Sequence, residues 1–310
     1  MARAVGSSIR QLGEFPLIAR LARRLGAAGR GPSVRAGIGD DAAVVRTPSG
    51  ETLLFASDML VEGVHVTRRA VPARWIGWKA LACNVSDIAA MGGAPRWAVV
   101  SLGLPPSTPI RFVESLYDGL GACARRFNMA IVGGDTARAP QVVVDVAIMG
   151  TPGPRGPILR SGACVGDVLF VTGRLGGSLI SGRHARFVPR IREAQALLAR
   201  VPIHAMVDLS DGLASDLWQL ARASRVTLRI DAARVPVSRA AKTLYHALMD
   251  GEDFELLFAV SRQAAARVPR RIGACPVTRL GEVRARGAHV ELETTDGRIR
   301  PLIPTGFRHF

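Results

Sequence analysis

The chain has 310 residues, of which 48% are hydrophobic, and its formal net charge at pH 7 is +16. This length allows two globular domains with substantial cores. No stretch reaches the ~18 consecutive apolar residues of a transmembrane helix, and the N-terminal residues lack the apolar segment of a secretory signal. We therefore expect a cytoplasmic protein without a membrane span.

The positive charge comes almost entirely from arginine, because Lys79 and Lys242 are the only lysines. The arginines are spread along the whole chain and are not interleaved with aromatic residues. A basic nucleic-acid-binding surface would concentrate them on one face or one segment. A coding bias towards GC-rich codons explains this composition, and we expect no specific nucleic-acid partner.

The four cysteines are widely separated and contain no C-x-x-C pair; they are Cys83, Cys123, Cys164 and Cys275. This spacing favours buried free thiols over a disulfide framework or a thiolate metal site.

The first half of the chain alternates helical and strand-like patterns. Apolar spacing predicts an amphipathic helix over residues 7–30 with solvent-facing arginines. Strands are predicted at 52–56, near 64–66 and at 97–104, and helices at 72–91 and 107–128. The run AIVGGDTARAPQVVVDVAIMG then predicts a strand, a Gly-Gly-Asp turn and a second strand.

The segment 151–166 is rich in proline and glycine, which predicts a linker between domains. Strands are predicted beyond it in DVLFVTG, HAMVD, VTLRID and EDFELLFAV, and helices at 190–200, after the acids of HAMVDLSDGL, at 239–250 and at 262–269. The expected fold class is therefore α/β, with two α/β domains, 1–150 and 151–310, and an active-site cleft between them.

Acidic residues recur beside short glycine-rich turns. Asp40 and Asp41 follow a Gly-Ile-Gly turn, and the strand-like run TLLFAS leads to Asp58. The same arrangement recurs in NVSDIAAMGG, IVGGDTAR, HAMVDLSDGL and LMDGEDFELLF, which contribute Asp87, Asp135, Asp208, Asp211, Glu252 and Asp253. One aspartate beside a glycine is usually a turn or helix-cap residue. Five such motifs that each close an apolar run instead predict a carboxylate cluster, whose oxygen ligands suit Mg²⁺.

Phosphoryl transfer fits this inventory, because it requires cations and positioning more than covalent chemistry. The sequence has no G-x-x-x-x-G-K-[ST] motif, so an ATP-using enzyme of this kind would lack a P-loop. The glycine-rich run VTGRLGGS fits no nucleotide fingerprint well. Arg160, in ILRSG, could bind phosphate with its guanidinium or could be a solvated linker residue.

Several motifs together resemble the thiamine-monophosphate kinase family. They are GEF near the start, GIGDDAAV, SDMLVEGVH, KALACNVSDIAAMGG, IVGGDTAR, LRSGA, VTGRLG, VDLSDGL, GEDFELLF and a terminal GFRHF. The resemblance extends from Gly13 to Phe310. It implies ATP- and Mg²⁺-dependent phosphorylation of thiamine monophosphate to thiamine diphosphate. It also implies the aminoimidazole-ribonucleotide-synthetase-like fold, with an N-terminal domain that binds metal and ATP and pairs into a homodimer.

The resemblance also implies roles for individual residues. The metal ligands would be Asp41, Ser57, Asp58, Asp87, Asp135, Asp208 and Asp211. Of these, Asp87, Asp135 and Asp211 would be catalytic. ATP would contact Gly134, Asp135, Arg160 and Ser210, and the thiamine substrate would contact His65, Glu252 and Phe307. An aromatic ring and a nearby carboxylate suit the cationic ring of that substrate.

Two other functions stay open on the sequence alone. One is another ATP-dependent ligase or cyclase of the same superfamily, such as aminoimidazole-ribonucleotide synthetase, which shares the fold but not the full set of motifs. The other is a basic, non-catalytic nucleic-acid binder. Ala56 stands where many kinases of the family carry a hydroxyl group, so one metal contact is expected to be missing.

Overall fold

Strands and helices alternate along residues 8–306, the part of the chain that this computed structural model describes. The helices are α1 (Ile9–Leu12), α2 (Glu14–Leu25), α3 (Ala73–Ala90), α4 (Ile110–Arg126), α5 (Ile191–Leu198), α6 (Leu213–Ser224), α7 (Leu244–Met249) and α8 (Arg262–Ala265). The first six strands are β1 (Val34–Ala36), β2 (Ala43–Arg46), β3 (Thr52–Val61), β4 (Ala94–Leu104), β5 (Ala130–Arg138) and β6 (Val143–Thr151). The later strands are β7 (Val168–Thr172), β8 (Ala205–Asp208), β9 (Val226–Asp231), β10 (Leu256–Val260), β11 (Arg271–Ile272), β12 (Cys275–Arg286), β13 (His289–Glu293) and β14 (Ile299–Pro301).

The strands form two separate sheets, one from each half of the chain. The first has the order β1-β2-β3-β6-β4-β5, and the second has the order β14-β13-β9-β12-β7-β10-β8, with β11 paired to β12. All neighbours are antiparallel except β4 with β5 and β9 with β13. This arrangement confirms the expected α/β fold with two domains. Among residues 8–306, no helix combines the length and apolarity needed to cross a membrane.

Helix α3 lies at the centre of the molecule. It contacts β3, β4 and β6 of the first sheet, helices α4 and α5, and β8 of the second sheet. Every residue from Ile76 to Ala90 is buried except Asp87. A surface helix would present a polar face to water. Because α3 has no such face, its polar side chains must find partners inside the protein.

Glycine lets helices α3 and α4 approach each other very closely. A Cβ atom added to Gly77 would lie 1.9 Å from the carbonyl oxygen of Leu116, and one added to Gly119 would lie 1.8 Å from that of Arg74. Since these are backbone atoms, a side chain at either position would push the helices apart.

Three local predictions from the sequence were wrong. Residues 7–30 do not form one helix, because the described part is interrupted at Gly13, whose φ of +77° lies in the left-handed region. Residues 64–66 form a turn that the ring nitrogen Nδ1 of His65 stabilises by accepting the Val61 N–H at 3.0 Å.

The third error concerns the Gly-Gly-Asp sequence, which lies within the continuous strand β5 and is not a turn. A register shift between Ala98 and Val99 leaves Val132 unpaired and continues the parallel pairing through Gly134. A Cβ atom at Gly134 would lie 1.8 Å from the Val100 carbonyl oxygen. This glycine therefore permits close approach of two strands.

We expect Gly119→Ala to lower the free energy of unfolding by about 2 kcal/mol or more, because overpacking a tight contact costs ~1–3 kcal/mol. Gly121→Ala on the same helix is the control. Its Cβ would meet only the guanidinium of Arg125, at 3.2 Å, a flexible group that can move aside. Urea denaturation measures both variants, and equal stability would contradict the proposed helix contact.

Candidate active site

A cleft of about 690 Å³ at the junction of the two domains is lined by acidic residues from both. The first domain contributes Asp40, Asp41, Asp58 and Asp87, and the second contributes Asp208, Asp211, Asp216 and Glu252. Of the other predicted site residues, Ser57, His65, Arg160 and Ser210 also line this cleft. The structure thus brings together most of the residues that the sequence singled out. Phe307 lies outside the described residues.

Three of these carboxylates converge most closely. Oxygen atoms of Asp41, Asp87 and Asp208 all lie within 4.8 Å of one another. Asp41 lies just before β2, Asp87 in the last turn of α3, and Asp208 at the end of β8. The hydroxyl of Ser86, the neighbour of Asp87 on α3, donates a hydrogen bond of 2.6 Å to Asp208 Oδ2. This bond joins the central helix of one domain to a strand of the other at the cluster.

Burial and mutual repulsion raise the pKa values of the cluster. Burial, followed by the charge of Asp41, raises the pKa of Asp208 to about 8. Burial and the charge of Asp211 raise the pKa of Asp58 to about 6. The pKa of Asp87 is raised well above its ordinary value, first by burial and then by Asp58. The cleft therefore retains protons that ordinary aspartates would have lost at neutral pH.

One guanidinium offsets part of this charge. Arg160 donates from Nε and Nη2 to Asp41 Oδ1 at 3.1 and 2.5 Å. Its backbone N–H also donates to both carboxylate oxygens of Asp40, each at 3.1 Å. The segment between the domains is thereby attached to the first domain at the cleft. Arg160 is therefore an ion-paired residue of the cleft wall. The alternative interpretation, that it is a solvated linker arginine, is wrong.

The donor set fits a hard divalent cation. Asp41 Oδ2 and Asp216 Oδ2 are buried, and neither has a hydrogen-bond partner among the described residues. Buried carboxylate oxygens without a partner are rare in proteins. Oxygen ligands from several carboxylates are what Mg²⁺ prefers. Asp41, Asp87 and Asp208 are the residues best placed to hold such an ion.

A buried lysine connects two of the predicted substrate-contact residues. Lys79 Nζ, on α3, is fully buried; it forms an ion pair with Glu252 Oε1 and donates to the backbone oxygen of His65 at 3.1 Å. The other carboxylate oxygen of Glu252, Oε2, is buried and lacks a hydrogen-bond partner within residues 8–306. Glu252 has φ +63°, in the left-handed region that side chains rarely adopt. The lysine therefore holds one carboxylate oxygen of Glu252, while the other has no hydrogen-bond partner among the described residues.

Two predicted residues do not line the cleft. Gly134 and Asp135 are exposed on β5, the edge strand of the first sheet. Asp135 pairs with Ser101, which pairs in turn with Asp145. Asp145 accepts a hydrogen bond of 3.2 Å from the hydroxyl of Ser57. A row of polar side chains thus leads from the cleft at Ser57 across the sheet to Asp135.

Several residues of the cleft had no predicted role. Lys79 was a recognisable signal, because it is a lysine inside an apolar helix. Asp216 lies in the first turn of α6, one turn beyond the DLSDG motif, a position that reads equally well as a favourable charge at a helix N-terminus. Phe15 and Ile18 of α2 line the cleft as an apolar wall. The amphipathic pattern of α2 gave no indication of what its apolar face would contact.

Both halves of the chain match known domain families. Residues 39–151 match the AIR synthase related protein N-terminal domain, and residues 165–292 match the corresponding C-terminal domain.

Two similar proteins are thiamine-monophosphate kinases. The chain is 38% identical to the thiamine-monophosphate kinase of Rhodopirellula baltica over 296 residues, which cover 90% of this chain and 92% of that one. It is 36% identical to the thiamine-monophosphate kinase of Escherichia coli K12 over 302 residues, with 88% and 91% covered.

Solved structures agree with these matches. A structure described as AaThiL complexed with AMPPCP and TMP matches with a TM-score of 0.85 and 30% identity, covering 99% of this chain and 100% of that one. The hydrogenase maturation protein HypE in complex with ATP shares the fold, at 20% identity, a TM-score of 0.72, and 98% and 97% coverage. On the evidence of its close relatives, this chain belongs to the thiamine-monophosphate kinase family and is built from two AIR-synthase-related domains.

Proposed function

We propose that this protein is a kinase that transfers the γ-phosphoryl group of ATP to thiamine monophosphate and forms thiamine diphosphate. The observation that carries the proposal is the convergence of Asp41, Asp87 and Asp208 in a cleft shared by both domains. The description of the solved relative, a complex with AMPPCP and TMP, supports this pair of substrates.

We propose Mg²⁺ as the resident cation, with Asp41, Ser57, Asp58, Asp87, Asp208 and Asp211 among its ligands. Bound there, Mg²⁺ would neutralise phosphate charge and orient the reacting groups. Arg160, in the segment between the domains, and Ser210, in the second domain, would contact the nucleotide phosphates. Asp87 and Asp211 contribute charge from opposite domains, so both depend on the domains keeping their present contact.

Gly134 and Asp135 do not line the cleft, so their proposed ligands need a separate binding position. Asp135 lies two strands beyond Asp145 in the same row, which is about 10 Å at the usual strand spacing. That distance is too long for one cation to bridge. We therefore assign Asp135 to a second cation and nucleotide contact at the outer end of the row that starts at Ser57.

We propose that the protein acts as a homodimer joined through the outer face of the first sheet. Phe55, Met59, Trp97 and Val99, on strands β3 and β4 of this sheet, are exposed. Large exposed apolar side chains are typical of an interface, and here they alternate along the strands with the polar row from Ser57 to Asp135. The domain boundary near residue 150 is consistent with the end of β6 at Thr151. The cytoplasmic location and the lack of a specific nucleic-acid partner stay predictions.

The proposed function is tested by incubating the protein with ATP, Mg²⁺ and thiamine monophosphate and measuring thiamine diphosphate. We expect Asp87→Asn to reduce kcat by about 100-fold or more, because it removes charge where the phosphates would bind. Asp118→Asn, on the exposed surface of α4, is the control and should leave kcat unchanged. A wild-type protein that hydrolyses ATP without forming thiamine diphosphate would contradict the assignment.

Glu252 is proposed to recognise the acceptor. Glu252 lines the cleft, its Oε2 has no hydrogen-bond partner among the described residues, and a carboxylate suits the cationic ring of thiamine monophosphate. Glu252→Gln should therefore raise KM for thiamine monophosphate at least about tenfold, the effect of losing ~1.4 kcal/mol, with little change in KM for ATP. Glu291→Gln, in a surface ion pair with Arg229, is the control. Equal changes in both KM values would indicate that Glu252 only maintains the structure.

We propose direct transfer between the two substrates, without a phosphorylated protein. His65 is the alternative acceptor, but its Nδ1 already accepts the Val61 N–H, and its backbone oxygen accepts from Lys79, the ion-pair partner of Glu252. The acceptor's own phosphate oxygen can attack in line. ATP made chiral at the γ-thiophosphate should give inversion at phosphorus. Retention, or a stoichiometric phosphoprotein trapped from ATP alone, would show a two-step route.

A further inference from the structure

A second cluster of metal-ligating side chains lies in the C-terminal half, outside the acidic cleft. Cys164, Asp167 and His204 each place one ligand atom within 4.8 Å of the other two. None of the three lines the cleft. Cys164 is the one exposed cysteine, since the other three cysteines of the chain are buried.

A tight turn aligns the thiol and the carboxylate. The Asp167 N–H donates to the Cys164 carbonyl oxygen at 3.0 Å, and the Cys164 N–H donates back to Asp167 Oδ2 at 2.8 Å. These two bonds close the turn, across which the Cys164 thiol and the Asp167 carboxylate lie near each other.

The third member comes from a distant part of the sequence. His204 lies directly before β8, and its backbone N–H donates to the Ala259 oxygen at 2.8 Å. The ring nitrogen Nδ1 lies 2.9 Å from Asp167 Oδ2 and 3.1 Å from Oδ1. Backbone hydrogen bonds therefore fix the main chain at Cys164, Asp167 and His204, and the Asp167 carboxylate links the two segments by contacting the Cys164 N–H and the His204 ring.

The charge balance at this cluster favours a cation. The Asp167 side chain is only 4% exposed, and among the described residues its ion-pair partner is His204, which is charged only when protonated. A carboxylate so deeply buried is stabilised by a permanent positive charge. A metal ion bound to the three side chains would supply such a charge.

The distance between the His204 ring nitrogen and the Asp167 carboxylate is close to that of two ligands in a tetrahedral site. Bonds of ~2.0–2.1 Å to nitrogen and oxygen imply an N···O separation of about 3.3 Å around zinc. The observed separation of 2.9 Å would need to open by only a few tenths of an ångström. Because Cys164 is exposed, water can occupy the fourth position.

We propose that Cys164, Asp167 and His204 form a binding site for Zn²⁺ or a similar borderline divalent cation. A thiolate, an imidazole and a carboxylate are ligands that zinc accepts, whereas Mg²⁺ requires oxygen ligands. The cysteine spacing alone predicted free thiols, because the other two ligands are not cysteines and one is distant in sequence.

The site would join two segments that lead into the acidic cleft. Cys164 follows Arg160 in the connection between the domains, and His204 directly precedes β8, the strand that ends at Asp208. The connection is already attached to α6, because Ser224 Oγ accepts the Ala163 N–H and donates to the Arg160 oxygen. A bound metal would add an attachment to β8, so its role is structural.

Cobalt(II) is the spectroscopic probe. The full-length reduced protein is first freed of metals with a chelator and then titrated with Co²⁺ in excess Mg²⁺, which occupies the carboxylate cleft. We expect one equivalent per chain to produce a sulfur-to-cobalt charge-transfer band in the near ultraviolet, and Zn²⁺ to abolish it.

Cys164→Ser should remove the band, and His204→Asn should weaken Co²⁺ binding at least about tenfold. His246→Asn is the matched control, because His246 Nδ1 lies 3.0 Å from Asp250 Oδ1 in a similar pair without a cysteine. It should bind Co²⁺ as the wild type does. A band that persists in Cys164→Ser, or that is absent from the wild type, would overturn the proposal.

A second measurement needs no variant. Cys164 carries the exposed thiol of the native protein, so iodoacetamide should alkylate it first. Micromolar Zn²⁺ should slow this reaction at least tenfold, while millimolar Mg²⁺ should not change it. An alkylation rate that Zn²⁺ leaves unchanged would refute metal binding at this cluster.

Discussion

Repulsion between buried carboxylates is the constraint on which the rest of this structure depends. Asp41 and Asp208 are buried and Asp87 is half-buried where the three converge, and the guanidinium of Arg160 offsets only part of their charge. Such a site is stable either with protons bound or with cations bound. A cation that replaces the protons also offers a binding surface for phosphate. The repulsion that makes these acids costly to assemble therefore also creates the cation site on which the proposed kinase activity depends.

The architecture keeps the acids together despite that repulsion. Helix α3 is enclosed by both domains, and the glycine contacts at Gly77 and Gly119 fix its distance from α4. From this fixed helix, Ser86 reaches the strand that carries Asp208, and Lys79 reaches Glu252. The second domain is thus positioned by hydrogen bonds and an ion pair at the cleft itself, so a shift of either domain would change the site directly.

Much of the site was predictable from sequence, because most of the carboxylates that lie beside glycine-rich turns do converge in the cleft. The alternation of patterns also gave the α/β class and most elements. The errors have physical causes that one sequence does not reveal. A bulge at Val132 carries the Gly-Gly-Asp sequence along a strand, so Asp135 lies outside the cleft lining. The ion pair of Lys79 with Glu252 and the proximity of Cys164 to His204 each join residues that are far apart in the chain.

The most direct test of the central claim is the number of protons released when Mg²⁺ binds, measured calorimetrically in buffers of different ionisation enthalpy. The pKa values of about 6 for Asp58 and about 8 for Asp208 mean that the metal-free cleft holds protons near neutral pH. Magnesium must displace them, so the number of protons released should fall as the pH rises through about 6 and then about 8, while affinity rises with pH. Mg²⁺ binding that releases no protons in this range, or that is unchanged in Asp208→Asn, would contradict the account.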